Sequence, residues 1–185
     1  MSDATFTQSD GRYVLAVERH FDHPPAKVWR LLTERALLRQ WFPCDVEGDW
    51  VVGAPLRFHF SNGEGDGLSE HELTGEVLTV VPQELLLFRW GDHHLRCELV
   101  PAASGCTLLF SETLDDPTMG ARNAVGWEMC FDALQMVIEG AGVAKFVYEV
   151  WQGKFKHYVA KFQPTMGPQA GIPESHPEHR PDPPG

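Results

Sequence analysis

No apolar run in the chain approaches the ~18 residues of a membrane-spanning helix. The first residues, Met-Ser-Asp-Ala-Thr-Phe-Thr-Gln, lack the basic start and apolar stretch of a secretory leader. The expected location is therefore the cytoplasm. Positive charge is scarce: 15 Lys and Arg against 26 Asp and Glu give a net charge of -11 and a pI near 5.2. That balance argues against nucleic acid and anionic membrane surfaces as primary partners. The four cysteines (Cys44, Cys97, Cys106 and Cys130) form no Cys-x-x-Cys pair. A reduced protein is the simpler reading, although spacing leaves a disulfide open.

Chemical signatures are equally sparse. There is no Gly-x-Ser-x-Gly elbow, and Ser111 has no recognisable base partner. Cys97 and Cys130 fall on apolar faces, where a buried, inert thiol is expected. The histidines lie at His93-His94, beside Glu70 and Glu72 at His71, and at His176-x-x-His179. None has the helical His-Glu-x-x-His pattern or a third ligand at suitable spacing, so no metal site is expected. The glycine-rich segment 61–67 lacks the Lys-Ser/Thr of a phosphate cradle and does not open a helix. It reads as a turn or open loop. No cofactor is expected.

The most informative segment that is present runs from Gly120 to Gly140. Trp127, Phe131, Leu134 and Ile138 recur at i, i+4, i+7 and i+11, with Cys130 and Val137 widening the stripe. This spacing predicts a helix of about six turns with one aromatic-aliphatic face. Asp116 and Pro117 supply its N-cap and first residue, and Gly140 its stop. A one-faced helix needs a sheet to lie on, and the preceding sequence supplies strands. Tyr13 to Phe21 predicts the first, and His23-Pro24-Pro25 breaks it. Two short helices follow, at Ala26 to Thr33 and Glu34 to Trp41. Leu56, Phe58 and Phe60 alternate with Arg57 and His59 in a further strand. More strands are expected at Glu72 to Val81, Glu84 to Trp90, His94 to Val100 and Cys106 to Thr113. The layout is α+β: a strand, two helices, an antiparallel meander and a long helix. Residues 1–12 read as an N-terminal arm, 13–140 as the domain and 141–163 as a helical extension. The last segment, 164–185, holds seven of the 14 prolines and little apolar bulk, which predicts disorder.

Five pieces in this order resemble one family: Pro-x-x-Val-Trp (Pro25 to Trp29), Gln-Trp-Phe-Pro (Gln40 to Pro43), Gly-Glu-Val-Leu-x-Val-x-Pro (Gly75 to Pro82), Leu-x-Phe-x-Trp (Leu86 to Trp90) and Gly-Trp-x-x-Cys-Phe-x-x-Leu (Gly126 to Leu134). Over Tyr13 to Gly140 the chain is similar to the single-domain bacterial relatives of the activator of the heat-shock-protein ATPase. These belong to the START-related, helix-grip (SRPBCC) superfamily. The resemblance implies a curved antiparallel sheet wrapped around the long C-terminal helix, with a hydrophobic cavity between them.

Strand alternation points Phe58, Phe60, Phe88, Trp90, Cys97, Phe110 and Glu112 to one face, with Trp127, Phe131 and Leu134 opposite them on the helix. Trp41 is expected near the cavity mouth. These residues make the candidate cavity lining, and periodicity alone is equally compatible with a closed aromatic core. Glu112 is the candidate acid or base if it points inward. If the strand has already ended, its carboxylate is solvated, and this second placement is the one the sequence favours. Many relatives implied by the resemblance carry His there. Glu128 lies off the helix stripe and is expected on the surface. The expected function is binding of a small hydrophobic or aromatic ligand, a lipid or metabolite, without catalysis. The alternatives are a cyclase-, aromatase- or hydrolase-like enzyme in the same cavity, and a chaperone-interacting protein. The residues before the first strand are too few for the extra domain with which the eukaryotic co-chaperone engages its partner.

Overall fold

The computed structural model describes residues 3–60, 71–142 and 147–171. The loop expected at 61–67, the metal-poor pair His176 and His179, and the segment 172–185 lie outside the described residues. Eight antiparallel strands form one sheet in the order β1-β2-β8-β7-β6-β5-β4-β3. They are β1 (Thr5–Ser9), β2 (Arg12–Phe21), β3 (Asp45–Glu47), β4 (Pro55–Phe60), β5 (His71–Val81), β6 (Leu85–Trp90), β7 (His93–Pro101) and β8 (Cys106–Leu114). Between β2 and β3 lie α1 (Pro25–Thr33) and α2 (Arg35–Leu38), and after β8 come α3 (Gly120–Ile138) and α4 (Tyr148–Met166). The sheet is thus α+β and of the helix-grip type, with α3 gripped against its concave face. No helix of the described residues is long and apolar enough to cross a membrane.

Two local devices shape the sheet. The first half of β5 pairs with β4 and the second half with β6, with a register shift between Val77 and Thr79. Such a bulge bends a strand and increases its twist, which lets one sheet curl around a helix. Gly75 lies just before this shift, closely approached by β4 and β6: a Cβ there would lie 1.9 Å from the Arg89 carbonyl oxygen and 2.9 Å from the Phe58 ring. Any side chain would force β4, β5 and β6 apart.

The expected alternation is realised most cleanly in β8, where Cys106, Leu108, Phe110, Glu112 and Leu114 are buried and the residues between them are not. The core face of α3 carries Trp127, Phe131, Leu134 and Ile138, as its spacing predicts. Trp127 meets Phe110 at a ring-centroid distance of 4.5 Å, and Phe131 meets Phe110 at 5.1 Å. The start of the helix is more elaborate than one cap. Asp116 accepts a hydrogen bond from the Thr118 N–H at 2.8 Å and opens a 3-10 turn, Pro117–Met119, which runs into α3. Gly140, at φ 74°, follows the end of the helix.

Three differences from the sequence expectation have physical causes. Residues 5–9, expected as part of an arm, form edge strand β1, because Phe6 finds Tyr13 and Phe162 to pack on. The short strand β3 was hidden between two turns and is held by pairing with β4. The predicted disorder from Pro164 is corrected over 164–171. Pro164 to Met166 complete α4, and Gln169 then accepts a hydrogen bond from the Ala121 N–H at 2.9 Å. The Ala170 N–H donates to the Thr118 carbonyl at 2.7 Å. Composition does not reveal that this proline-rich stretch finds unsatisfied groups at a helix start.

Helix α4 covers the side of α3 that faces away from the sheet, burying Trp151, Tyr158 and Phe162. Glu128, expected on the surface, is therefore buried at 4 % exposure. It accepts hydrogen bonds from the Tyr158 hydroxyl and from Lys154 Nζ, the latter at 2.9 Å. Burial, with Glu128 alongside, raises the Tyr158 phenol above its ordinary pKa, while its oxygen also accepts the Ala4 N–H at 3.0 Å.

Candidate functional site

The site begins with a hairpin. Strands β6 and β7 join through Gly91 and Asp92, with Trp90 opposite His93. Gly91 takes φ 59°, which suits the first central position of a type II′ turn. This short connection pins the register, and the period of two then separates neighbours. His93 shares the inner face with Leu95 and Cys97, while His94 goes to the outer face beside Arg12 and Thr113. Opposite Leu95 on β8 stands Glu112.

Glu112 is 2 % exposed, so the solvated placement favoured by sequence is corrected: β8 continues to Leu114 and holds the carboxylate inward. Trp127 Nε1 donates to Oε2 at 2.8 Å, and Asn123 Nδ2 lies 3.1 Å from Oε2 and 3.3 Å from Oε1. His93 Nδ1 is 3.0 Å from Oε1. Indole and amide nitrogens only donate here, so both oxygens are acceptors and the network suits a carboxylate. The same logic puts the proton on His93 Nδ1. Asn123 and Trp127 reach one carboxylate because residues four apart share a helix face. The hydrogen bond to Glu112 raises the His93 pKa against the opposing effect of partial burial, with Asp115 and Asp92 adding to the rise. Among the described residues, Nε2 of His93 has no hydrogen-bond partner.

Beside this network lies a cavity of about 560 Å³, within the usual range for small-molecule sites. Phe60, Trp90 and Trp127 supply aromatic wall, and Met119, Met129 and Cys130 supply softer surface from the α3 side. Trp151 closes in from α4, and Pro43 from the turn after α2. Polar atoms come from His93, Glu112, Arg122 and Asn123. The cavity is set at one end of the grip and is not buried midway between sheet and helix.

Of the residues expected to line a cavity, Phe60, Trp90, Glu112 and Trp127 do so. Phe58, Phe110, Phe131 and Leu134 are packed in the core instead. Trp41, Phe88 and Cys97 border only a void of about 10 Å³, large enough for one water at most. Trp41 is fixed there by its Nε1, which donates to the Leu31 carbonyl at 2.9 Å. The void in the middle of the grip is nearly closed because Phe42 fills it, touching Trp41, Trp90 and Trp127. Burial pushes the Cys97 and Cys130 thiols up to about 12, so both are protonated at neutral pH, as befits inert sulfur. Among the described residues no group of three or more His, Cys, Asp or Glu could hold a metal ion.

Sequence reasoning missed His93, Asn123, Arg122, Met119, Met129 and Trp151. Two signals were present. His93 has the parity of Leu95 and Cys97, and Asn123 precedes Trp127 by four residues. Trp151 carried no such signal, because its place depends on how α4 folds back over α3.

Comparison with known proteins agrees with this architecture. The chain is similar to a conserved protein of unknown function from Enterococcus faecalis, with TM-score 0.69 and 22% identity, covering 87% of this chain and 91% of that one. It is similar to CalU16 from Micromonospora echinospora, with TM-score 0.67 and 20% identity, covering 85% and 94% of the two chains. The protein MLL2253 from Mesorhizobium loti shares 26% identity with TM-score 0.57, covering 68% of this chain and 96% of that one. No curated protein matches significantly. Residues 22–139, more than half of the chain, match the family described as Activator of Hsp90 ATPase homolog 1-like protein, and the chain belongs to that family.

Proposed function

We propose that the protein binds a small ligand with an aromatic or apolar body in the cavity between the β6–β7 hairpin, α3 and α4. One observation carries this reading: about 560 Å³ of space walled by Phe60, Trp90, Trp127 and Trp151 beside a fixed polar network. The middle of this grip is closed by Phe42, and its end opens to solvent as a cleft that a ligand can enter. The Glu112 network holds the Trp127 ring and the His93 ring at fixed angles, so the wall is rigid before a ligand arrives. Preorganisation of this kind lowers the entropy cost of binding.

A second reading is favoured by the Glu112–His93 pair. A buried carboxylate that accepts from Nδ1 fixes the tautomer and orientation of an imidazole and leaves Nε2 to exchange a proton with a bound molecule. That arrangement suits proton transfer, such as enolisation or ring closure, more than nucleophilic attack. A chaperone role rests on the family description alone and has no comparable observation behind it.

Native mass spectrometry of freshly purified protein tests the main reading. A discrete added mass that disappears under denaturing conditions is the expected result. Protein that stays free of added mass, even after incubation with a panel of aromatic metabolites, would count against a ligand site. Turnover of any such ligand that is lost in His93→Gln would support the enzymatic reading.

A further inference from the structure

Arg122 is distinguished by what it does not touch. Arg12, Arg19, Arg30, Arg35, Arg89 and Arg96 each stand within ion-pair distance of a carboxylate. Among the described residues Arg39 and Arg122 make no side-chain hydrogen bond or ion pair; Arg39 is exposed to water, whereas Arg122 is half-buried and lines the cavity. In a chain of net charge -11, carboxylates are abundant, yet none among the described residues is brought within ion-pair distance of it. A guanidinium stays charged at any physiological pH, and its planar fork suits a carboxylate in two parallel hydrogen bonds.

The other charged lining groups are His93 and Glu112. Both oxygens of Glu112 are already engaged by His93, Asn123 and Trp127, so this carboxylate is compensated within the wall. His93, fixed by Glu112 through Nδ1, still has Nε2 to offer. Asp92 in the hairpin turn and Asp115 after β8 also act on the ring and favour its charged form. When protonated, His93 presents an N–H to the cavity wall, and Arg122 is left as the positive charge without a partner.

Resting on the reading of this cavity as a ligand site, we propose that it selects a monocarboxylate on an aromatic or apolar body. The carboxylate is held by the Arg122 guanidinium and the His93 Nε2–H, and the body lies against Trp90, Trp127 and Trp151. Recognition of this kind supplies the missing counter-charge, and it discriminates against a neutral isostere by leaving Arg122 unpaired there.

The test is calorimetric titration of the full chain with 2-naphthoate and with its neutral isostere 2-naphthamide. The acid is expected to bind at least about tenfold more tightly, an advantage of about 1.4 kcal/mol. Arg122→Gln should shrink this advantage by weakening the acid alone, leaving the part that His93 supplies. His93→Gln should remove the loss of acid binding that wild type shows as His93 deprotonates with rising pH. Equal affinities in wild type, or a preference undiminished in Arg122→Gln, would overturn the carboxylate assignment while leaving the ligand site standing. Binding of neither compound would overturn both.

Discussion

Glu112, which reaches α3 from β8, and Glu128, which lies on α3, are nearly equally buried, and each accepts a hydrogen bond from an aromatic side chain, yet they have different consequences. Glu128 lies between α3 and α4, and its partners are Tyr158 and Lys154. The groove beside it has about 370 Å³ of space, but its charged groups are paired with one another. Lys154 pairs with Glu128, His157 pairs with Asp3 at 2.9 Å, and the Tyr158 oxygen both donates and accepts. Glu112 is bound by more donors, but one of them, His93, retains a free nitrogen, and unpaired Arg122 stands in the same cavity. Burial of a carboxylate therefore does not mark a site by itself. A site needs open space together with donors that the fold has left unused. Glu128 serves the fold, and Glu112 orients a group that faces open space.

Removing each carboxylate should separate these roles. Glu128→Ala leaves the Tyr158 hydroxyl and the Lys154 ammonium without a partner between two helices, and should cost about 3 kcal/mol, the lower end of the range for breaking a buried pair. Lys154 can still turn partly toward water and Asp132, which is why the upper end is not reached. Glu112→Ala should cost less, about 2 kcal/mol, because His93 and Asn123 can take water in the cavity and only the Trp127 N–H is stranded. Urea unfolding midpoints measure both. A larger loss at Glu112 than at Glu128 would break the comparison.

The same contrast shows what the residues revealed in advance. Periodicity of two and of 3.6 located β8 and the stripe of α3 to within a residue or two, because both follow from local geometry. Glu112 had the right parity and fell within the expected strand, but whether its carboxylate was held inward depended on pairing with β2 and β7 and on cover from α3, which are not local. Glu128 was misplaced because the stripe of α3 was judged against one partner, the sheet, whereas α4 supplies a second. The docking of Gln169 and Ala170 at the start of α3 was hidden for the same reason. Truncation after Gln163 therefore tests the non-local part. Composition alone predicts no change, and the hydrogen bonds to Ala121 and Thr118 predict a loss of about 1 kcal/mol and a lower Tm.

Two adjacent histidines extend the comparison to pH. The pKa of His93 is raised, chiefly by its hydrogen bond to Glu112. Its contribution to stability is complete below the ordinary value of 6.5 and is lost as pH rises through its raised folded value. The pKa of His94 is lowered, first by burial and then by Arg12 and Arg89. Its contribution is present above 6.5 and is lost as pH falls through its lowered folded value. Stability should thus decline on both sides of 6.5 from these two residues. His93→Gln should flatten the alkaline limb and His94→Gln the acid limb, as read from urea midpoints against pH. If His93→Gln left the alkaline limb unchanged, Glu112 would have no ionic hold on the imidazole.

The smallest expected effect on folding is the most telling for function. Arg122 makes no hydrogen bond or ion pair among the described residues, so Arg122→Gln removes no internal partner from any other group. Its effect on stability should stay within about 0.5 kcal/mol, the ordinary range for a substitution that touches no structural feature. Such a result is what the proposed carboxylate site requires of Arg122: a side chain held in the cavity wall by the first turns of α3 that contributes little to the fold. If Arg122→Gln instead lowered stability by as much as Glu112→Ala, the guanidinium would be part of the wall's own structure. The distinction between the committed groups around Glu128 and the uncommitted ones around Glu112 would then disappear.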